Sequence, residues 1–228
     1  SLLPIAASRS ANAITVIDSV QLKNRAALSV SDLLRDVPGL AVSRSGVFGS
    51  LTQVRARGAE ANHLLVLIDG VEVNDPSRGD ELNWGTLTTS DIERIEVIRG
   101  PQSAMRGSDA LAGVVNIVTK SADQPFSANF YSEAGSWSTS KNGFSIGHKS
   151  DQFDVRLGVS HIESEGANVL AGTGVIAGQP SSGNDRDGYR NTSINLKTGV
   201  KLSDQWQLSF STRHTDGMTE FDDNFRPF

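Results

Sequence analysis

Two patterns of apolar and polar positions divide this chain. Up to about Ser121 short helical and strand signals are mixed. Asp18 or Ser19 can cap a short helix through Asn24. Ser29 can cap a second, with Leu33, Leu34 and Val37 on one face and Pro38-Gly39 ending it. The run LLVLI, then Asp69-Gly70, then VEV predicts a hairpin, because Asp-Gly accepts the positive φ values of a tight type I′ turn. From Arg94 to Ile98 charged and branched apolar residues alternate, and Gly100-Pro101 stops that strand. Gly107, Gly113 and small alanines permit close backbone approach before Val114 to Val118 resumes as strand. This half reads as a small mixed α/β globule, with a domain boundary near Ser121 to Pro125.

After the boundary the helical signals vanish. Alternating stretches run over Ser127 to Ala134, Lys141 to Lys149, Phe153 to Ser160, Asn191 to Leu202 and Trp206 to Thr212. Phe153, Val155, Leu157 and Val159 share a face, as do Ile194, Leu196, Thr198, Val200 and Leu202, and Trp206, Leu208 and Phe210. Short polar turns at Ser150 to Gln152 and Ser203 to Gln205 contrast with a long Gly-, Ser- and Asp-rich stretch from Glu163 to Gly188. Short turns at one end and long loops at the other are the habit of outer-membrane barrels. Alternation alone fits a soluble β-sandwich equally well. Phe153 and Trp206, at the short-turn ends of their strands where an aromatic girdle would lie, favour the barrel.

Composition removes several alternatives. A net charge of -5 without blocks of like charge offers no electrostatic footprint for nucleic acid. The longest apolar run, Leu64 to Ile68, is far short of the roughly 20 residues a spanning helix needs, so any membrane span must be β. With no cysteine there is no disulfide framework, thiol nucleophile or thiolate metal site. Ser1 opens without a basic flank, as a processed mature start would. GTGVIAG at Gly172 to Gly178 lies in a polar loop with neither the strand nor the helix of a dinucleotide site. His63, His148, His161 and His214 lack paired metal-ligand spacing, no serine sits in a G-x-S-x-G elbow, and an enzyme is not indicated.

Three ordered motifs carry a resemblance. IEVIRGPQSAMRGSDALAGVVNIV (Ile95 to Val118) resembles the plug signature of TonB-dependent outer-membrane receptors. SVSDLLRDVPGLAV (Ser29 to Val42) resembles that family's helix-then-PGV element, and VRARGAEANHLLVLIDGVEVND (Val54 to Asp75) its IRG...VLVLIDGV element. Arg106 departs from the family, which usually has an aromatic residue there. The whole chain lies along a receptor of the cobalamin-transporter type. The resemblance implies an α+β plug over residues 1–121, then the first antiparallel strands of a transmembrane β-barrel over residues 122–228. Such barrels have about 22 strands, and only five are legible. A free five-stranded sheet would leave two unpaired edges in lipid, at a cost on the order of tens of kcal/mol, so the expectation is a fragment or truncated receptor.

The same resemblance implies roles for particular residues. TonB, the periplasmic partner, would add a strand to an N-terminal box, here Leu2, Leu3, Pro4, Ile5, Ala6 and Ala7. Pro4 removes one ladder donor from that segment, which otherwise reads as an apolar terminus. Substrate would meet loops Ser45 to Thr52 and Asn74 to Gly85, with Ser45, Phe48, Ser50, Asn74 and Trp84 as candidates; either loop also reads as an ordinary solvated one. Asn184, Asp185 and Asp187, joined by Asp222 or Asp223, resemble a calcium-binding extracellular loop, although their spacing is not that of an EF-hand and also suits a solvated acidic loop. Arg57, Glu96 and Arg99 would face the barrel wall and pair with it, or form surface ion pairs.

The function so implied is energy-coupled uptake of a nutrient such as cobalamin across the outer membrane of a Gram-negative bacterium. Ca2+ is the one candidate cofactor, and the partners are TonB, an organometallic or iron-chelate substrate and outer-membrane lipid. Siderophores and haem use the same plug. The alternative from another class is a non-transporting remnant, a soluble plug-type binding module.

Overall fold

The computed structural model describes residues 13–107, 109–167 and 186–220. The chain divides into two compact units. One comprises residues 1–43 and 52–120; the other comprises residues 44–51 and 121–228.

The first unit is built on a five-stranded sheet in the order β1-β6-β7-β4-β5: β1 (Ala13–Ile17), β4 (Leu64–Ile68), β5 (Val71–Glu72), β6 (Ile92–Arg99) and β7 (Gly113–Thr119). Pairing is antiparallel except between β4 and β7, which run parallel. The unbroken apolar run of β4 follows from burial of both its faces. Leu64 and Val66 join the main core with Ile95, Val97, Val115 and Ile117, while Leu65 and Leu67 pack with Ala110 and Val114. A second sheet pairs β2 (Leu40–Arg44) with β3 (Thr52–Ala56).

Local chemistry sets the element ends. Helix α1 (Ser19–Arg25) opens with a capping box in which the Asp18 carboxylate accepts from Val20 and Gln21 backbone N–H groups and Gln21 returns a bond. Ser29 caps α2 (Val30–Leu34), whose Val30, Leu33 and Leu34 are fully buried. The Asp69-Gly70 turn has positive φ at both residues, 50° and 85°. Its carboxylate also accepts from the Thr119 N–H at 3.0 Å and from the Thr119 hydroxyl, pinning the hairpin to β7.

The segment between β6 and β7 contains one helical turn, α3 (Ser103–Arg106), where only a turn was expected. Its two glycines act differently. A Cβ at Gly113 would lie 2.6 Å from the Ile98 carbonyl oxygen, so close strand approach demands glycine there. Gly107 has open space around it but adopts φ 96°, ψ 177°, a region essentially confined to glycine.

The second unit holds an antiparallel sheet in chain order: β8 (Ser127–Ala134), β9 (Ser140–Lys149), β10 (Phe153–Ser164), β11 (Tyr189–Lys201) and β12 (Gln207–Thr219). Its faces are inverted relative to a soluble sheet. Lys141, Ser145, Arg156, Ser160, Asn191, Ser193 and Asn195 are buried on one face, while Phe130, Phe144, Ile146, Phe153, Ile194, Leu208 and Phe210 are exposed on the other. Cross-strand register gathers the outward residues, exposed or half-buried, into rows, Phe130–Phe144–Val159–Ile194 and Ala128–Ile146–Leu157–Leu196. A β-sandwich buries its apolar face, so this arrangement removes the sandwich alternative and matches the wall of a membrane barrel, apolar outside and polar inside. Strands of 10, 12, 13 and 13 residues over β9 to β12 meet the roughly 9–11 a tilted spanning strand requires.

Two strands extend beyond their alternating stretches, β10 to Ser164 and β12 to Thr219. There the outward row is Asn142, His161, Thr192 and Asp216, so backbone pairing continues after the apolar signal has ended. At the opposite end, Ser150-Asp151-Gln152-Phe153 and Ser203-Asp204-Gln205-Trp206 form turns of one design. The serine hydroxyl accepts from the N–H of the aromatic residue, at 3.0 Å for Phe153 and 3.2 Å for Trp206. The β8–β9 connection, residues 135–139, is also short, although it lies at the end where a long loop was expected.

Candidate functional site

Segment 44–51, which links β2 to β3, belongs with the wall strands of the second unit. It closes on itself through a bond from Ser45 N–H to Leu51 carbonyl at 3.0 Å and one from Ser50 N–H to Val47 carbonyl at 3.1 Å. Phe48, half-buried, meets the buried Tyr189 ring edge-on, with centroids 4.6 Å apart and planes at 88°. The Arg44 guanidinium lies 5.5 Å from the Phe48 centroid. Ser45 is exposed and Ser50 half-buried. Three of the five expected substrate residues therefore share one loop at the polar end of β11 and β12.

Asn74 and Trp84 lie elsewhere, in the first unit, and have structural work. β5 ends at Glu72, and the buried Asn74 amide then takes the place of a strand beside β4. Asn74 accepts from Val66 N–H at 2.8 Å and donates to the carbonyls of Leu64 at 3.2 Å and Asp80 at 2.7 Å. Trp84, 2% exposed, is a core residue packed with Leu33, Leu34 and Ile92 in the main apolar cluster. Between them Asp75 organises an exposed turn. Its carboxylate accepts from the Ser77 hydroxyl at 2.7 Å and the Ser77 N–H at 2.9 Å, and these bonds, helped by Arg78, hold it below the usual carboxylate range.

Arg57 and Arg99 converge on the Pro38-Gly39 turn. A Cβ on Gly39 would lie 3.8 Å from Arg57 Cγ and 4.0 Å from Arg99 Cδ. Arg99 donates to the carbonyls of Pro38 at 2.7 Å and Ala13 at 3.3 Å, and to the Thr15 hydroxyl at 3.0 Å, fastening edge strand β1 to the end of β6. Arg57 is exposed, with φ 52°. Glu96 stands apart, paired with Arg94 at 2.7 Å and accepting from Asn116 Nδ2 at 3.0 Å.

The segment Leu2 to Ala7 lies outside the described residues, as do Asn184, Asp185, Asp222 and Asp223. Of the expected calcium ligands only Asp187 is described. It is buried, and among the described residues no cluster of three metal-ligating side chains forms. The sequence reading passed over Gly49, Tyr189 and the Arg99 bonds. Phe48-Gly49 in a short loop and an aromatic opening β11 were the available signals.

A mixed α/β unit, then antiparallel strands with an apolar outer face and a polar inner face, is the pattern of a plug domain followed by the first strands of a membrane β-barrel. Residues 6–114 match the model of the TonB-dependent Receptor Plug Domain. Over 209 residues the chain is 32% identical to "Vitamin B12 transporter BtuB" of Photobacterium profundum, covering 92% of this chain and 32% of that protein. It is also 32% identical over 209 residues to the protein of the same name from Vibrio vulnificus, covering 91% and 33%. The chain thus spans about a third of the length of these relatives. Two solved structures share its fold. The siderophore receptor PirA from Acinetobacter baumannii has a TM-score of 0.73 at 24% identity, covering 91% of this chain and 32% of that one. The ferric yersiniabactin uptake receptor FyuA from Yersinia pestis has a TM-score of 0.71 at 21% identity, covering 92% and 33%. The chain belongs to the TonB-dependent receptors. Members of that family are outer-membrane proteins of Gram-negative bacteria, and these relatives are named as transporters and receptors.

Proposed function

We propose that the protein is an outer-membrane receptor for cobalamin, coupled through TonB to uptake. The observation that carries the substrate is the 32% identity, over most of the chain, to proteins named vitamin B12 transporters. The apolar outer face of the wall supports the location, because a bilayer stabilises a sheet whose exposed face carries Phe130, Phe144, Ile194 and Phe210.

In this reading Ser45, Phe48 and Ser50 meet the substrate. TonB pairs by strand addition with the segment Leu2 to Ala7. Tension applied there passes next to β1, an edge strand held by β6 on one side only and by the two Arg99 bonds to Ala13 and Thr15. Asn184, Asp185, Asp187 and Asp222 supply oxygen ligands that would hold a calcium ion and order the long loop around the substrate.

The test is equilibrium binding of cyanocobalamin to outer membranes bearing the protein, with uptake compared in cells with and without TonB. Saturable binding in both, and uptake only with TonB, is expected. Absence of cyanocobalamin binding with saturable binding of a ferric chelate would overturn the substrate. Recovery of the protein as a soluble monomer would overturn the receptor reading in favour of a plug-type binding module.

A further inference from the structure

We propose that Gly49 and Tyr189 form a seat that fixes loop 44–51 on the ends of β11 and β12, and so set the position from which Ser45, Phe48 and Ser50 meet the ligand. Both are positioning residues, and the inference rests on the reading of this loop as ligand-contacting.

Two independent features of Gly49 demand glycine. Its φ of 89° is one that side chains with a Cβ rarely adopt. A Cβ there would also lie 2.1 Å from Tyr189 Cδ2, 2.3 Å from Cε2 and 2.5 Å from Thr219 Oγ1. The loop backbone thus rests on a ring that is itself 3% exposed, the first residue of β11, with Thr219, the last of β12, beside it. Tyr189 and Thr219 are register partners, so the seat stands on a paired position of the wall and not on a free loop. Phe48 rests edge-on against the same ring, with Arg44 beside it. Tyr189 therefore touches two adjacent residues, Phe48 and Gly49, of a loop whose Ser45 is exposed. A ring this buried cannot reach a ligand, but it governs where Phe48 can be. The β11 end it occupies is also the end fed by the long β10–β11 connection.

The test separates seat from substrate. The chain contains no cysteine, so Ser45→Cys accepts a single nitroxide label in this segment, and its mobility in the membrane-inserted protein reads the loop without any ligand. Cyanocobalamin affinity is measured separately on unlabelled protein with Ser45 intact, and heat-modifiable gel migration reports assembly. Gly49→Ala and Tyr189→Ala are expected to mobilise the label and weaken cyanocobalamin binding about tenfold. Tyr189→Phe, which keeps the ring, is expected to match the unsubstituted protein in both. A label as immobile in Gly49→Ala and Tyr189→Ala as in the parent overturns the seat. A mobile label with unchanged cyanocobalamin affinity overturns its positioning role. A mobile label in Gly49→Ala and Tyr189→Ala but not in Tyr189→Phe, in a protein whose parent binds no cyanocobalamin, supports the seat and counts against the cobalamin reading alone.

Discussion

Replacing Leu196 and Thr192 separately by arginine asks whether the outer face of the wall lies in lipid. Both residues are on β11, both point to the outer face and both are half-buried, so exposure does not distinguish them. Depth does. Leu196 lies in the row Ala128–Ile146–Leu157–Leu196, near the middle of the apolar band, and Thr192 lies in the polar row with Asn142, His161 and Asp216. Four residues separate them, about 13 Å along the strand at about 3.3 Å per residue. A cationic residue near the bilayer midplane of a barrel costs about 2–4 kcal/mol, falling to about 0–1 near the interface. Leu196→Arg is thus expected to lower the folded-to-unfolded ratio by about thirty- to a thousandfold, and Thr192→Arg by about fivefold or less. The Thr192 change also removes the 2.9 Å contact with His161 Nδ1, worth about 1 kcal/mol beyond that charge cost, which extends its upper limit to about thirtyfold, the lower limit for Leu196→Arg. The assay is a reversible urea titration of the protein in phospholipid vesicles, followed by tryptophan fluorescence. Equal effects within about 0.5 kcal/mol, the usual size for a soluble surface, would refute the assignment of this face to lipid.

Three further outcomes concern the first unit. Asp69→Asn weakens the bonds to Thr119 and should cost about 1–2 kcal/mol, read as faster hydrogen exchange at the Asp69 and Thr119 amides; unchanged protection would mean the carboxylate does not pin the hairpin. Gly113→Ala forces β6 and β7 apart against the Ile98 carbonyl, at about 1–3 kcal/mol, and exchange should quicken at Val97 and Val115, which pair across that boundary. Asp75 is held low, so its turn is favoured above the ordinary carboxylate range and that contribution is lost as pH falls through its lowered value. Ser77→Ala should raise the Asp75 titration midpoint measured by NMR, and an unmoved midpoint would remove the Ser77 bonds as its cause.

Features set by neighbours in sequence were the most legible. The Asp18 and Ser29 caps, the Asp69-Gly70 turn and the alternation of β8 to β11 each rest on residues a few positions apart, and each stands in the structure. Apolar alternation predicts β12 only as far as Thr212, because the alternation stops at the edge of the apolar band while backbone pairing continues through Asp216 to Thr219. The choice between sandwich and barrel was not available from alternation, since both have period two. It needed the knowledge of which face is buried, and the buried Lys141, Arg156 and Asn191 supply that. Asn74 illustrates a further limit: a polar residue in a predicted loop reads as solvent- or ligand-facing, yet its amide completes the edge of β4 through partners on both sides of the turn. The Arg99 bonds reach back 84 and 86 positions to Thr15 and Ala13, and no local pattern encodes that distance.

Heat-modifiable gel migration of the protein recovered from the outer-membrane fraction tests most directly whether this chain is the plug and wall of a membrane receptor. Migration that changes on boiling, together with resistance to alkaline extraction, is the predicted result. A soluble, compact monomer whose migration is indifferent to boiling would contradict the account.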